Sequence, residues 1–325
     1  MAGKGIYYES QFEEATIELL REAHWQYTFG DDIHRKYTDP LIEEDLRNFL
    51  AAQYKDRDLT TSEIDGIVAN LRNTGGQNDY YALRNAFLLY RDGYDFAYSD
   101  GRDNPFRLEY IDFEHPDHNI FRCVNQFVME QGRENRRPDI LLFVNGIPVC
   151  IIELKNPTKQ NATIRDAHTQ ICTRYMRDIP ALLKYCALAV ISDGAKNALG
   201  TIYTPFEFFY EWKKIENEDK AGKGLDTLRT LIRGALSPER ILEILRDYVY
   251  FPDPTKEDDT TEIVCRYPQF FATRKLRDHI LNHLRSVGGD GKGGTYFGAT
   301  GCGKTYTMLF LARQLVLRCK KQLGS

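Results

Sequence analysis

The chain has 325 residues, with 47 acidic and 43 basic side chains and a formal net charge of −4. This balance excludes nucleic-acid binding driven by bulk charge, so such binding would need a local basic surface. The length allows two or three domains. The seven dispersed cysteines and the lack of an apolar run of about 18 residues predict a reduced, cytoplasmic protein without a membrane span.

The first third of the sequence has helical periodicity. Ser10 and Glu13 have the spacing of a capping box, which predicts a helix over residues 10–23. Its buried side is predicted to contain Phe12, Ile17 and Leu20. Three further helices are predicted over residues 40–55, 61–73 and 80–91.

Strand patterns dominate the middle of the chain. The dipeptide Asn145-Gly146 separates two apolar runs and predicts a hairpin. The predicted strands cover residues 107–113, 119–130, 140–144, 149–152 and 186–192, and the later helices cover 163–177 and parts of 225–250. This order predicts a mixed α/β domain over residues 1–250, a polar linker over 251–261, and a second α/β unit over 262–325.

Residues 298–305 have the phosphate-binding pattern G-x-x-x-x-G-K-[ST]. Backbone N–H groups would face a phosphate, Lys304 would contact the β- and γ-phosphates, and Thr305 would reach Mg²⁺. A strand is predicted over 294–297 before this loop, and a helix over 306–317 after it. The predicted nucleotide-binding residues of the loop are Gly298, Thr300, Gly301, Gly303, Lys304 and Thr305. The alternative is a glycine-rich turn before a core helix.

A second pattern, P-D…E-x-K, spans the predicted hairpin. Its acidic and basic members are Asp139, Glu153 and Lys155. Glu153 and Lys155 are two residues apart on a strand, so their side chains share one face. A strict two-residue turn would pair Asp139 with Ile152 and put it on the other face. We therefore expect a three-residue loop or a bulge beside Asp139.

Two carboxylates and a lysine are costly to bury without a function. Phosphodiester hydrolysis would use them, with Asp139 and Glu153 holding Mg²⁺ and Lys155 orienting water or stabilising the transition state. Gln170 and Tyr175, on the next helix, are predicted to overlook this site. The alternatives are a surface salt bridge for Lys155, a solvated Gln170 and a half-buried Tyr175.

The whole chain resembles the motor-and-nuclease (R) subunit of type I restriction–modification enzymes. The segments that carry the resemblance are Arg137-Pro138-Asp139, Glu153-Leu154-Lys155-Asn156-Pro157, Gln170 with Tyr175, Ile191-Ser192-Asp193-Gly194, Arg266-Tyr267-Pro268-Gln269 and the phosphate-binding loop. The resemblance implies a RecB-like P-D-(D/E)-x-K nuclease domain, with a mixed sheet flanked by helices, followed by a RecA-like helicase domain. It also implies cleavage of double-stranded DNA after ATP-driven translocation, in a complex with methylation and specificity subunits.

The resemblance also assigns residue roles. Glu13, or its neighbour Glu14, would add a carboxylate to the metal site, and Gln269 would bind adenine. The glutamine–tyrosine pair of the family is four residues apart, whereas Gln170 and Tyr175 are five apart, which puts the position of Tyr175 in question. No Asp-Glu box follows the phosphate loop, so we expect an N-terminal fragment that turns over little ATP.

Two other hypotheses remain open at this point. One is a catalytically idle DNA-binding or assembly fragment, which would bind DNA in Mg²⁺ without cutting it. The other is a P-loop ATPase or kinase with a regulatory N-terminal domain, which would need a second acidic strand end to hold Mg²⁺.

Overall fold

A computed structural model describes residues 4–155, 163–216, 222–253 and 260–319. Asn156, Pro157 and residues 254–259 of the predicted linker lie outside these ranges. The helices are α1 Lys4–Glu22, α2 Glu43–Gln53, α3 Thr61–Asn73, α4 Asp79–Asp92, α5 Ile164–Thr169, α6 Met176–Asp178, α7 Pro180–Leu183, α8 Leu225–Leu231, α9 Pro238–Asp247, α10 Tyr267–Asn282 and α11 Lys304–Leu317. Segments Gln170–Tyr175 and Ile232–Leu236 are π-helical.

The strands are β1 Gln26–Phe29, β2 Tyr94–Phe96, β3 Phe106–Leu108, β4 Phe121–Asn125, β5 Met129–Gln131, β6 Glu134–Arg136, β7 Ile140–Val144, β8 Ile147–Leu154, β9 Leu188–Ser192, β10 Asn197–Gly200, β11 Tyr210–Glu211, β12 Val249–Tyr250 and β13 Ile263–Val264. Seven of them form one sheet in the order β1-β4-β7-β8-β9-β10-β11. The β1–β4 and β8–β9 pairs are parallel and the others are antiparallel. The predicted mixed α/β architecture is therefore confirmed.

The central strands β7, β8 and β9 are buried along their whole length. Such strands have helices or loops on both faces, and their sequences are correspondingly continuous apolar runs rather than alternating ones. This explains why a polar side chain such as Glu153, within β8, is conspicuous. The middle of the sheet thus places Glu153 inside the protein, with Asp139 and Lys155 partly exposed.

The helices predicted for the first third of the chain are present. Phe12, Ile17 and Leu20 form the buried side of α1, as predicted. The capping box at Ser10 is wrong, because α1 begins at Lys4 and Ser10 lies within it. None of the helices in the described ranges is long and apolar enough to cross a membrane.

Three predicted strands differ from the structure. The strand predicted over 107–113 is reduced to β3, which pairs with β2 in a separate two-stranded sheet. The strand predicted over 119–130 is interrupted after Asn125 and divided into β4 and β5, which belong to different sheets. Residues 294–297 form no strand, and the side chain of Phe297 is 89% exposed. A short apolar run becomes a strand only where a partner edge accepts its hydrogen bonds.

The β7–β8 hairpin turns at Asn145-Gly146 as predicted. Asn145 and Gly146 have φ values of 50° and 76°, the left-handed conformation that a two-residue turn requires. Leu142 pairs with Cys150 and Phe143 pairs with Pro148, so Val149 of β8 is an extra, bulged residue. The hairpin thus combines a strict two-residue turn with a bulge.

We expect Gly146→Ala to destabilise the protein by at least about 2 kcal/mol. A Cβ at this position would lie 2.1 Å from the Ile42 carbonyl oxygen, in addition to the positive φ. Chemical denaturation of both proteins measures the difference. Gly66→Ala is the matched control, because nothing lies within 4 Å of its Cβ position in α3. That variant should be as stable as the parent or more stable by about 0.5–1 kcal/mol. Equal effects of the two substitutions would contradict the argument.

The last helices pack on the end of α9. Tyr248, which follows α9, contacts Phe270 of α10 and Phe310 of α11, with ring centroids 4.9 and 5.3 Å apart. Strands β12 and β13 pair across the predicted linker. The residues before and after the linker therefore share buried contacts, and the proposed domain boundary stays a prediction.

Candidate active site

The bulge at Val149 brings Asp139 to the face of Glu153. Ile140 pairs with Ile152, and continuing this register by one residue places Asp139 opposite Glu153. The backbone N–H of Leu154 donates to Asp139 Oδ2 at 2.7 Å. The hairpin is therefore distorted, as expected, but neither predicted form is correct: the turn has two residues rather than three, and the bulge lies near the turn at Val149 rather than beside Asp139.

Glu153 is the most buried member of the site, with a side chain 1% exposed. Lys155 Nζ donates to its Oε1 at 2.6 Å, and the Tyr175 hydroxyl donates to its Oε2 at 3.3 Å. Burial raises the pKa of Glu153 to about 8, and the neighbouring Asp139 carboxylate also raises it, while Lys155 lowers it. The site therefore holds a carboxylate whose ionisation is opposed by its surroundings, a state typical of functional sites.

Gln170 and Tyr175 are brought together by a π-helical turn. The segment Gln170–Tyr175 has the i→i+5 pattern, so residues five apart lie one above the other. Gln170 Nε2 donates to the Tyr175 hydroxyl at 2.6 Å, and Gln170 Oε1 accepts from Lys155 Nζ at 2.9 Å. Tyr175 is therefore not displaced by the five-residue spacing, and both side chains contact the site.

Glu13 lies beside the site but contacts other residues. Its carboxylate accepts from Asn125 Nδ2 at 2.7 Å and from Gln126 Nε2 at 3.0 Å. Gln126 in turn donates its backbone N–H to the Asp139 carbonyl at 3.1 Å and has a φ of 55°. Asn125 and Gln126 are thus site residues that the sequence argument missed. Their position at the end of β4, the strand that pairs with the hairpin, is the signal that could have identified them.

The oxygen atoms of Asp139 and Glu153 fit a hard divalent cation. Mg²⁺ binds carboxylate oxygens, and a cation between two close carboxylates removes the repulsion that raises the pKa of Glu153. Among the described residues, only Asp112, His115 and His118 form a set of three ligand atoms that all lie within 4.8 Å of one another. Glu13 therefore does not complete such a set with Asp139 and Glu153 as they are placed here.

The phosphate-binding loop leads directly into α11, which begins at Lys304. Gly301 and Gly303 have φ values of 78° and 81°, which glycine adopts without strain. Lys304 Nζ donates to the carbonyl oxygens of Gly298 and Ala299, both at 2.9 Å. Thr300 and Thr305 are exposed. The carbonyl oxygens of the loop thus bind its own lysine, and its two threonines are exposed.

Gln269 lies against this loop, although it precedes Gly298 by 29 positions in the sequence. Its Nε2 donates to the carbonyl oxygens of Cys302 and Gly303 at 3.4 and 3.3 Å, and its Oε1 accepts from Arg266 N at 2.8 Å. A cavity of about 650 Å³ opens beside it, lined also by Tyr210, Gly301, Gly303 and Tyr306. The structure therefore brings the two predicted nucleotide-binding segments together.

Comparisons with known proteins point to one family. Residues 6–208 match the family model described as type I restriction enzyme R protein N terminus. The chain is 28% identical over 320 residues to the type I restriction enzyme HindI endonuclease subunit of Haemophilus influenzae, covering 95% of this chain and 30% of that protein. It is 27% identical to the putative type I restriction enzyme MjaIXP endonuclease subunit of Methanocaldococcus jannaschii, covering 93% and 31%. The chain thus spans about 30% of the length of these relatives.

Proposed function

Because the chain belongs to the family of type I restriction enzyme R proteins, whose N-terminal region it matches, we propose that it is a Mg²⁺-dependent endonuclease module. In this proposal residues 1–250 form a RecB-like nuclease domain of the P-D-(D/E)-x-K class, and the substrate is double-stranded DNA. The observation that carries the proposal is the convergence of Asp139, Glu153 and Lys155 at one point of a bulged hairpin.

Each side chain of the site would have a separate role in phosphodiester hydrolysis. Asp139 and Glu153 would hold Mg²⁺, which when bound lowers the pKa of water and neutralises charge on the phosphate. Lys155 lies next to Glu153, and its side chain is only 14% exposed. It would orient the attacking water and stabilise the negative charge of the transition state.

Gln170 and Tyr175 would position these groups. Gln170 accepts from Lys155 and donates to Tyr175, and Tyr175 donates to Glu153. The four side chains form a closed ring of hydrogen bonds, which fixes the rotamers of Glu153 and Lys155. We infer that Gln170 and Tyr175 act through Glu153 and Lys155 rather than on the phosphate.

In the longer polypeptide of the relatives, the phosphate-binding loop would bind ATP with Mg²⁺. Lys304 and Thr305 would contact the phosphates and the ion, and Gln269 would bind the adenine, since an amide can donate and accept at once. Residues 262–325 would be the start of a RecA-like motor. Cleavage would then follow ATP-driven translocation, in a complex with methylation and specificity subunits.

A plasmid-nicking assay tests the nuclease proposal. The chain is incubated with supercoiled DNA in Mg²⁺ and, in parallel, in EDTA. We expect open-circular or linear product in Mg²⁺ only. DNA that is bound but stays intact in Mg²⁺ after long incubation would support the idle assembly fragment instead. Substantial ATP hydrolysis that is lost in Lys304→Ala would support the P-loop ATPase.

A further inference from the structure

The loop between β3 and β4 carries a compact cluster of two histidines and an aspartate. Asp112 Oδ2 lies 3.2 Å from His115 Nδ1 and 2.9 Å from His118 Nδ1. The two imidazole rings stack with their centroids 4.8 Å apart. The Asp112 side chain is 5% exposed, whereas those of His115 and His118 are 63% and 50% exposed. The cluster therefore has a buried carboxylate and an open side.

The carboxylate of Asp112 is held firmly in place. Its Oδ1 accepts from the backbone N–H groups of Glu114 and His115 at 3.0 and 2.9 Å, and its Oδ2 accepts from Gln53 Nε2 at 3.1 Å. Asn119 bonds both the backbone N–H and the carbonyl of Asp112, at 2.9 and 2.7 Å. These contacts orient the ligand atom before any ion binds, which is the role of outer-shell partners at metal sites.

Two of the three separations between the ligand atoms suit a small transition-metal ion, and all three are within 4.8 Å. Tetrahedral zinc with bonds of about 2.0–2.2 Å separates its ligand atoms by about 3.3 Å. The two nitrogen–oxygen distances here are within a few tenths of an ångström of that value. Two imidazoles and one carboxylate are a donor set that zinc accepts and that Mg²⁺, which prefers oxygen, does not.

We propose that Asp112, His115 and His118 form a three-ligand site for a zinc-class divalent cation, with a fourth position open to solvent. The ion takes the place of the contacts that the two imidazoles otherwise make with the carboxylate. The site is separate from the nuclease residues. β4 runs from this loop at Phe121 to Asn125 beside Glu13, so the two sites lie at opposite ends of one strand.

The loop also connects two parts of the chain. Glu114 accepts from Arg246 Nη1 at 3.2 Å and forms an ion pair with Arg318 at 3.5 Å. Arg246 belongs to α9, and Arg318 follows α11. An ion bound at Asp112, His115 and His118 would therefore stiffen the loop that contacts both helices, and should raise the thermal stability of the chain.

Titration of the metal-free chain with Co²⁺ and with Zn²⁺, in excess Mg²⁺, tests this proposal. Tetrahedral Co²⁺ gives strong visible absorption bands, and calorimetry gives the Zn²⁺ affinity. We expect one Zn²⁺ per chain, tetrahedral Co²⁺ bands, and a Zn²⁺-dependent rise in Tm. His115→Gln/His118→Gln should lose the bands and the Tm shift and bind Zn²⁺ at least about 10-fold more weakly. Both side chains are exposed, so the variant should fold.

The matched control is His24→Asn/His34→Gln, which also removes two exposed histidines. Asn tolerates the positive φ of His24. This variant and Glu153→Gln should both bind like the parent. Zn²⁺ binding that is equal in the parent and in His115→Gln/His118→Gln, or no saturable binding by the parent, would overturn the proposal. Loss of binding in Glu153→Gln alone would place the ion at the nuclease residues and would overturn it too.

Discussion

Replacing Lys155 by Ala is expected to lower the rate of Mg²⁺-dependent DNA cleavage by about 100- to 1,000-fold. Two physical effects act in the same direction. The variant loses the positive charge that would stabilise the transition state. It also loses the group that lowers the pKa of Glu153, so a smaller fraction of that buried carboxylate is ionised at neutral pH. Single-turnover cleavage of a supercoiled plasmid measures the combined effect.

Lys196→Ala is the control for Lys155→Ala, because Lys196 is an exposed lysine on the turn that follows the neighbouring strand. It should cleave at the rate of the parent. A Lys155→Ala protein that is folded by circular dichroism, binds DNA and cleaves as fast as the parent would eliminate the assignment of the site. Raising the pH should restore part of the lost rate, since it ionises Glu153, but should not replace the missing charge.

The β7–β8 hairpin shows which structural features local sequence signals can predict and which they cannot. Asn145-Gly146 predicted both the turn and its position, because only a few residue types adopt its backbone conformation. The alternation of side chains along a strand predicted that the hairpin must be distorted, but it did not predict that the bulge would lie at Val149. The sequence does contain a signal for that position. Pro148 has no N–H to donate to the ladder, so it favours an irregularity there.

Contacts between segments that are far apart in the sequence were the other part of the site that the sequence did not predict. The spacing of Gln170 and Tyr175 suggested that the pair was out of register for an α-helix, yet a π-helical turn accommodates the extra residue. A π-turn has weak local preference, and here hydrogen bonds to Lys155 and Glu153 favour it. Glu13 likewise contacts Asn125, which is 112 residues away in the sequence. Helical periodicity gives no information on such a contact.

We expect Glu153→Gln to abolish cleavage while stabilising the metal-free protein at alkaline pH. Folding raises the pKa of Glu153 from its ordinary value of 4.5 to about 8, chiefly through burial. A raised pKa means that the folded state retains a proton that the unfolded state releases. The parent therefore loses stability as the pH rises from about 4.5 to about 8, and the loss is complete above pH 8.

The amide that Glu153→Gln introduces carries no charge at any pH, so the variant avoids this loss. Urea unfolding in EDTA should show similar stabilities near pH 4.5 and an advantage for Glu153→Gln of about 3–5 kcal/mol near pH 9. Adding Mg²⁺ should stabilise the parent and not the variant, because the ion binds the ionised carboxylate.

The control is Glu239→Gln, at an exposed position in α9. It should change neither DNA cleavage nor the pH dependence of stability. If the Glu153→Gln variant is less stable than the parent at pH 9, the ion pair between Glu153 and Lys155 stabilises the fold, and Glu153 has a structural role. If Glu153→Gln is more stable than the parent but inactive, then the buried carboxylate of Glu153 serves metal binding and lowers the stability of the fold.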